Sequence, residues 1–165
     1  MKAKNLITAI LLLAAGVSFA QESIFDRFSG QKDITCITIT KALINMLPSA
    51  SSSINMNGID IKGIADKLEQ VDIFTSKTKN VVEQMEAEAT QYFSSNKSYE
   101  MLMKIKNEAD NVTFYGQKAE NAFKSLVILV SNNGECVLVH LSGKLTVEDI
   151  RTATATMQGG RIIER

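Results

Sequence analysis

The chain is poor in the residues from which most enzyme and cofactor sites are built. Its 165 residues hold one histidine (His140), no tryptophan, one proline and two cysteines. A triad built on a histidine base would therefore have to use His140. No G-x-S-x-G, P-loop, G-x-G-x-x-G or H-E-x-x-H occurs, so the usual motif-based assignments lack support. Two cysteines make no disulfide framework, and no C-x-x-C is present for redox chemistry or zinc. Charge of one sign is not in excess: 18 Lys+Arg face 18 Asp+Glu. A nucleic-acid binder usually carries a basic excess or stripe, and neither is present. An apolar content of 45% with zero net charge argues against disorder. The length fits one domain.

What is present begins with an export signal. Lys2 and Lys4 form a short positive region. Leu6 to Val17 is apolar except for Thr8 and Gly16, and Ser18-Phe19-Ala20 puts small residues at −3 and −1 of a cleavage site. Residues 1–20 therefore read as a secretory signal peptide, with Gln21 as the mature N-terminus. The apolar run is short of the roughly 20 residues that span a bilayer. No cysteine follows Ala20, which argues against a lipoprotein. Cleavage removes two basic residues and no acidic one, so the mature chain is slightly acidic. The expected location is periplasmic or secreted.

In the mature chain, Ile24, Phe25 and Phe28 share one face of a short helix ended by Ser29-Gly30. Ile34 to Thr40 is β-branched at six of seven positions, a strand signal. A short helix with Ala42, Leu43, Met46 and Leu47 stops at Pro48. Ser49 to Asn57 reads as a mobile loop. Asp60 is placed to cap a helix carrying Ile61, Ile64 and Leu68, weakened by Gly63. Val71 to Ser76 reads as a strand. From Thr78 or Lys79 to about Ser94 the best helix of the chain puts Val81, Val82, Met85, Ala89, Tyr92 and Phe93 on one face.

Four strand candidates follow in series: Met101 to Lys106, Val112 to Tyr115, Lys124 to Val130 and Cys136 to Leu141. Leu126 to Val130 is apolar on both faces and belongs at the centre of the sheet. Asn133-Gly134 between two apolar runs signals a hairpin, because both residues tolerate positive φ. Thr146-Val147-Glu148-Asp149 forms a capping box, with Leu145 placed to staple onto Ile150. Gly159-Gly160 releases a flexible tail over 159–165. The reading is one α+β domain over 21–158: a mostly antiparallel sheet of about five to six strands, helices packed mainly on one face, and a C-terminal helix after a meander.

In element order and motifs the chain resembles the domain of unknown function family numbered 4252, exported proteins of Bacteroidota. The resemblance rests on Ile24 to Phe28, Ile37-Thr38-Ile39-Thr40-Lys41, Tyr99-Glu100-Met101-Leu102-Met103-Lys104, Leu126 to Val130 and Leu141-Ser142-Gly143-Lys144-Leu145. It covers most of the mature chain, and the Ser-rich Ser49 to Asn57 stretch departs from it. The family carries no established reaction. The resemblance implies export and an uncharacterised, non-enzymatic role.

Candidate chemistry is sparse. His140 alternates with Cys136 and Leu138 on one strand face and reads as a strand histidine with a satisfied hydrogen bond. Gly143-Lys144 reads as a turn after a strand. Glu83, Glu86, Glu148 and Asp149 are acid–base candidates by type alone, and solvation or a helix N-terminus accounts for them. The apolar face from Val81 to Phe93 reads as core rather than a partner groove. Cys36 and Cys136 read as free thiols, small buried residues on strands. A bridge would need neighbouring strands in matching register. No residue is assigned a catalytic, cofactor-binding or metal-binding role.

The function expected is a non-catalytic binding or interaction module of the cell envelope. Its partner is an unidentified envelope protein or small ligand, with no nucleic acid and no transmembrane span. A carboxylate-dependent enzyme and a structural subunit of a surface assembly are the alternatives. Mass spectrometry of the mature protein is expected to place its N-terminus at or near Gln21. Recovery of only the full-length, cytoplasmic chain would refute export.

Overall fold

The computed structural model describes residues 23–46, 55–56, 59–60 and 63–151. The expected signal segment over 1–20 and the expected flexible tail over 159–165 lie outside the described residues. A short helix α1 (Ile24–Ser29) opens the domain, with the Ser23 hydroxyl accepting from the Phe25 amide at 3.3 Å. Strand β1 (Thr35–Thr40) runs into helix α2 (Lys41–Met46). Two-residue strands β2 (Asn55–Met56) and β3 (Ile59–Asp60) pair with each other. A single 3₁₀ turn over Ala65–Lys67 leads into β4 (Leu68–Ser76), and helix α3 spans Lys79–Ser95. The meander follows as β5 (Tyr99–Lys106), β6 (Asp110–Ala119), β7 (Ala122–Asn132) and β8 (Cys136–Leu145). Residues 147–151 are helical.

The six long strands form one antiparallel sheet in the order β1-β4-β8-β7-β6-β5. The fold is α+β, as the sequence predicts. The α1 and α3 side covers Phe74, Tyr115, Val127, Leu129, Cys136 and Leu138 with Ile24, Phe28 and the Val81–Phe93 stripe of α3. The opposite face gathers Val71, Phe114, Leu126, Ile128, Val139 and Leu141 beneath Ile44, Ile64 and Ile150. Leu126, Val127 and Ile128 are fully buried, so β7 is apolar on both faces because both faces are covered.

Three local expectations are corrected. Asp60 lies in a strand, β3, rather than at a helix start: beyond Gly63 the chain makes only the 3₁₀ turn before Leu68 enters the sheet opposite Gly143. Part of the predicted loop, Asn55–Met56, is strand. Gly143-Lys144 is not a turn, because β8 continues through both to Leu145. Gly143 has φ +155°, and a Cβ there would stand 2.2 Å from the Lys67 carbonyl oxygen. Only glycine admits that close approach of two backbones.

The β7–β8 hairpin forms by a different device from the one expected. Positive φ among the described residues occurs at Asp33, Glu120 and Gly143, and so not at Asn133 or Gly134. The Asn132 side-chain oxygen instead accepts from the Gly134 and Glu135 amides at 3.0 and 2.8 Å. This is a side-chain turn of the kind asparagine favours. The capping box forms as predicted. The Thr146 hydroxyl accepts from the Asp149 amide at 3.2 Å, and the Asp149 carboxylate accepts from the Thr146 amide at 2.7 Å. Lys67 also pairs with that carboxylate at 2.5 Å. These contacts hold the Asp149 carboxyl low, at about 2, the Lys67 hydrogen bond contributing most.

Both cysteines are free. They share one face of the sheet, but β4 lies between their strands, and Cys36 pairs with Phe74 rather than with Ser76, the partner of Cys136. Two strand spacings, roughly 9.5 Å, exceed the Cα separation that a bridge allows. Cys36 is exposed on the edge strand, which corrects the expectation that both would be buried. Cys136 is buried, and burial pushes its thiol up to about 12, with Glu86 and Glu135 adding to the shift.

Ile128 is fully buried in β7, so Ile128→Ala is expected to cost about 2 to 5 kcal/mol. A denaturant or thermal melt matching that of the unmodified protein would show that the strand is not the core.

Candidate functional site

The sheet register brings polar residues from distant parts of the chain into rows. One cross-strand row reads Thr40, Gln70, Ser142, Ser125, Gln117 and Tyr99, one residue from each of the six strands. The adjacent row reads Thr38, Asp72, His140, Val127, Tyr115 and Met101. By alternation along each strand, both rows lie on the face that α1 and α3 cover. Gln70 and Thr40 are exposed, Ser142, Gln117 and Tyr99 are half-buried, and Ser125 is buried. Cover thins toward Thr40 and Gln70, whereas Tyr99 lies against Tyr92 and Phe93 of α3.

Asp72 organises the first part of the site. Its side chain is buried, yet its two oxygens take part in four hydrogen-bond contacts. The Thr38 hydroxyl donates to Oδ1 at 2.7 Å, and the Gln70 amide donates to both oxygens at 2.9 Å. His140 Nδ1 lies 3.3 Å from Oδ2. With a carboxylate facing Nδ1, that nitrogen carries the proton. The Phe25 ring of α1 stacks on the imidazole, with centroids 4.0 Å apart and planes 15° apart. Burial lowers the His140 pKa from its usual value, against the opposing pull of Asp72, and the ring is neutral at pH 7. Farther along, the Ser142 hydroxyl donates to the Gln70 carbonyl at 3.3 Å. Ser125 hydrogen-bonds Gln117 and Tyr99, and burial raises the Tyr99 phenol.

These hydrogen bonds do not follow the order of a nucleophilic triad. In a triad the acid holds one imidazole nitrogen and the hydroxyl meets the other. Here the Thr38 hydroxyl and the imidazole occupy the two oxygens of one carboxylate, and Ser142 turns to a backbone carbonyl. The expected satisfied hydrogen bond of His140 is present, with Asp72 as its partner. The sequence pointed to neither Asp72 nor the polar row. Asp72, Thr40 and Ser125 lie inside the predicted strands and Gln70, Ser142, Gln117 and Tyr99 beyond them, and only cross-strand register joins them.

The carboxylates picked by residue type are not gathered. Glu83 is exposed on α3, while Glu86 accepts from the Asn111 amide at 2.8 Å. Glu148 pairs with Arg151, and Asp149 caps its helix. That helix packs through Ile150 into the core on the other side of the sheet. An apolar cavity of about 380 Å³ opens there beside Leu102, Phe114 and Phe123, with Glu100 the one carboxylate lining it. Among the described residues, no three His, Cys, Asp or Glu side chains are grouped to hold a metal ion.

Fold and site together define an α+β domain on one six-stranded antiparallel sheet, with a polar row and the adjoining Thr38–Asp72–His140 network on the face that α1 and α3 cover. The profile of the family described as Domain of unknown function (DUF4252) matches residues 28–153, and the chain belongs to that family. The chain matches no curated protein and no solved structure.

The His140 environment sets a pH dependence. Because its folded pKa lies below the usual 6.5, the unfolded chain binds the proton more readily. Stability from this group is complete above about pH 6.5, falls as pH drops below it, and levels off beneath the folded pKa. Thermal melts at pH 7.5 and 5.0 are expected to show a larger loss for the unmodified protein than for His140→Gln. Equal losses would mean that the imidazole is not desolvated.

Proposed function

We propose that this chain is a small exported binding module of the cell envelope, acting without catalysis on a neutral ligand rich in hydroxyl and amide groups. The observation that carries this reading is the polar row Thr40–Gln70–Ser142–Ser125–Gln117–Tyr99. Hydroxyls and carboxamides each donate and accept, so the row presents mixed hydrogen-bonding capacity without formal charge. It stands on a sheet, which fixes side-chain spacing better than loops do. Neither neighbouring hydroxyl, of Thr38 or Ser142, hydrogen-bonds His140, and this supports recognition over nucleophilic chemistry. Export rests on Lys2, Lys4 and the apolar run to Ala20. Among the described residues no helix is long and apolar enough to cross a membrane.

The test is an amide NMR titration with two probes, triacetylchitotriose and an uncharged tripeptide amide. Saturable shifts are expected at Gln70, Ser142 and Gln117 with at least one probe, and their loss in Gln70→Ala/Ser142→Ala. No shift with either probe, or shifts confined to the opposite face, would overturn the reading.

A further inference from the structure

The two edges of the sheet differ in a way that points to a partner. Edge strand β5 carries Glu100, Lys104 and Lys106, and its pairing with β6 breaks register between Met101 and Met103. Charges and bulges of this kind blunt an edge against further pairing. Edge strand β1 has neither. Its sequence TCITIT is uncharged, and it pairs with β4 without interruption from Thr35 to Thr40. Every residue of β1 except Ile39 is exposed. Of the five large apolar side chains exposed among the described residues, Ile37, Leu43 and Met46 lie on β1 and the helix that follows it.

We infer that the protein self-associates as a two-fold dimer by antiparallel pairing of β1 with β1 of a second copy, centred on Ile37. This interface is separate from the polar row. Alternate residues of a strand turn their N–H and C=O groups outward, so a two-fold edge pairing joins residues of the same parity. Centring on Ile37 sets Cys36 opposite Thr38 and Thr35 opposite Ile39, and exposed Ile37 packs on its own copy. Asp33 lies just before β1 and Lys41 opens the helix just after it, so antiparallel pairing brings opposite charges toward each other at both ends. Sliding by one residue pair in either direction takes Ile37 off its own copy: centring on Thr38 puts it opposite Ile39, and centring on Cys36 puts it opposite Thr35. Among the described residues neither Asp33 nor Lys41 has an ion-pair partner. Lys41 spends one donor on the Asp66 carbonyl, at 2.8 Å, and keeps two. The charge pattern selects a second copy over an unrelated strand because the residues flanking β1 supply both halves of the match.

Sedimentation velocity over a range of concentrations tests the association. The dimer fraction is expected to rise with concentration and to vanish in Ile37→Lys, whose melt, matching that of the unmodified protein at a concentration where both are monomers, shows that it is folded. Register is read from variants with one introduced cysteine in a Cys36→Ser background, where the remaining Cys136 is buried, oxidised with glutathione disulfide. Ile37→Cys places two thiols directly opposite, whereas Thr35→Cys leaves them four residues apart, roughly 13 Å. Cross-linking is expected to be roughly tenfold or more faster for Ile37→Cys, because a bridge forms only at close Cα separation. A monomer at every concentration, a dimer unaffected by Ile37→Lys, or equal cross-linking of the two variants would overturn the inference.

Discussion

The rest of the structure depends on the pairing of β7 with β8. Leu126 to Leu129, Val137 to Val139 and Leu141 are all buried apolar side chains, and they point to both faces. Each large side chain so buried contributes about 1.5 to 3 kcal/mol, so neither face can be left to water. This constraint explains the layers. The α3 stripe and α1 cover one side, while Ile44, Ile64 and Ile150 close over the other. It also explains the backbone contact at Gly143, where β8 passes close to the turn that leads into β4.

The polar row lies where that demand relaxes. Toward the ends of β4, β6 and β8, side chains change from aliphatic to hydroxyl and carboxamide, and the strands continue because their backbone partners continue. Asp72 sits at the boundary. Burying a carboxylate is costly unless its oxygens are occupied, and Thr38, Gln70 and His140 occupy them. Phe25 lies flat on the imidazole and so ties α1 to this network as well as to the core. The same arrangement that satisfies Asp72 draws Thr38 and His140 onto one carboxylate and keeps them from each other.

The local signals were legible in the sequence because each depends on near neighbours. The β-branched run at β1, the stripe from Val81 to Phe93, the double-faced run of β7 and the Thr146–Asp149 capping box all formed as predicted. So did the class of fold, since four strands at short spacing favour a meander. The misses share one cause. Asp60 is a good cap by type, but the sheet takes Leu68 into β4 and leaves only a 3₁₀ turn before it. Gly143-Lys144 has turn composition, yet its strand partners extend β8 through it.

By itself the sequence determined which segments are apolar enough to be core, and with that the α+β class and the scarcity of catalytic side chains. Only the tertiary structure decided which residues meet. The β1–β4 and β4–β8 pairings join positions up to 75 residues apart, and a shift of one residue in either would turn Asp72 or His140 to the opposite face. The polar row, the Asp72 network, the separation of Cys36 from Cys136 and the open edge of β1 are all consequences of that register. Side-chain periodicity reports which way a residue points within its own strand; it carries no record of the partner across the sheet.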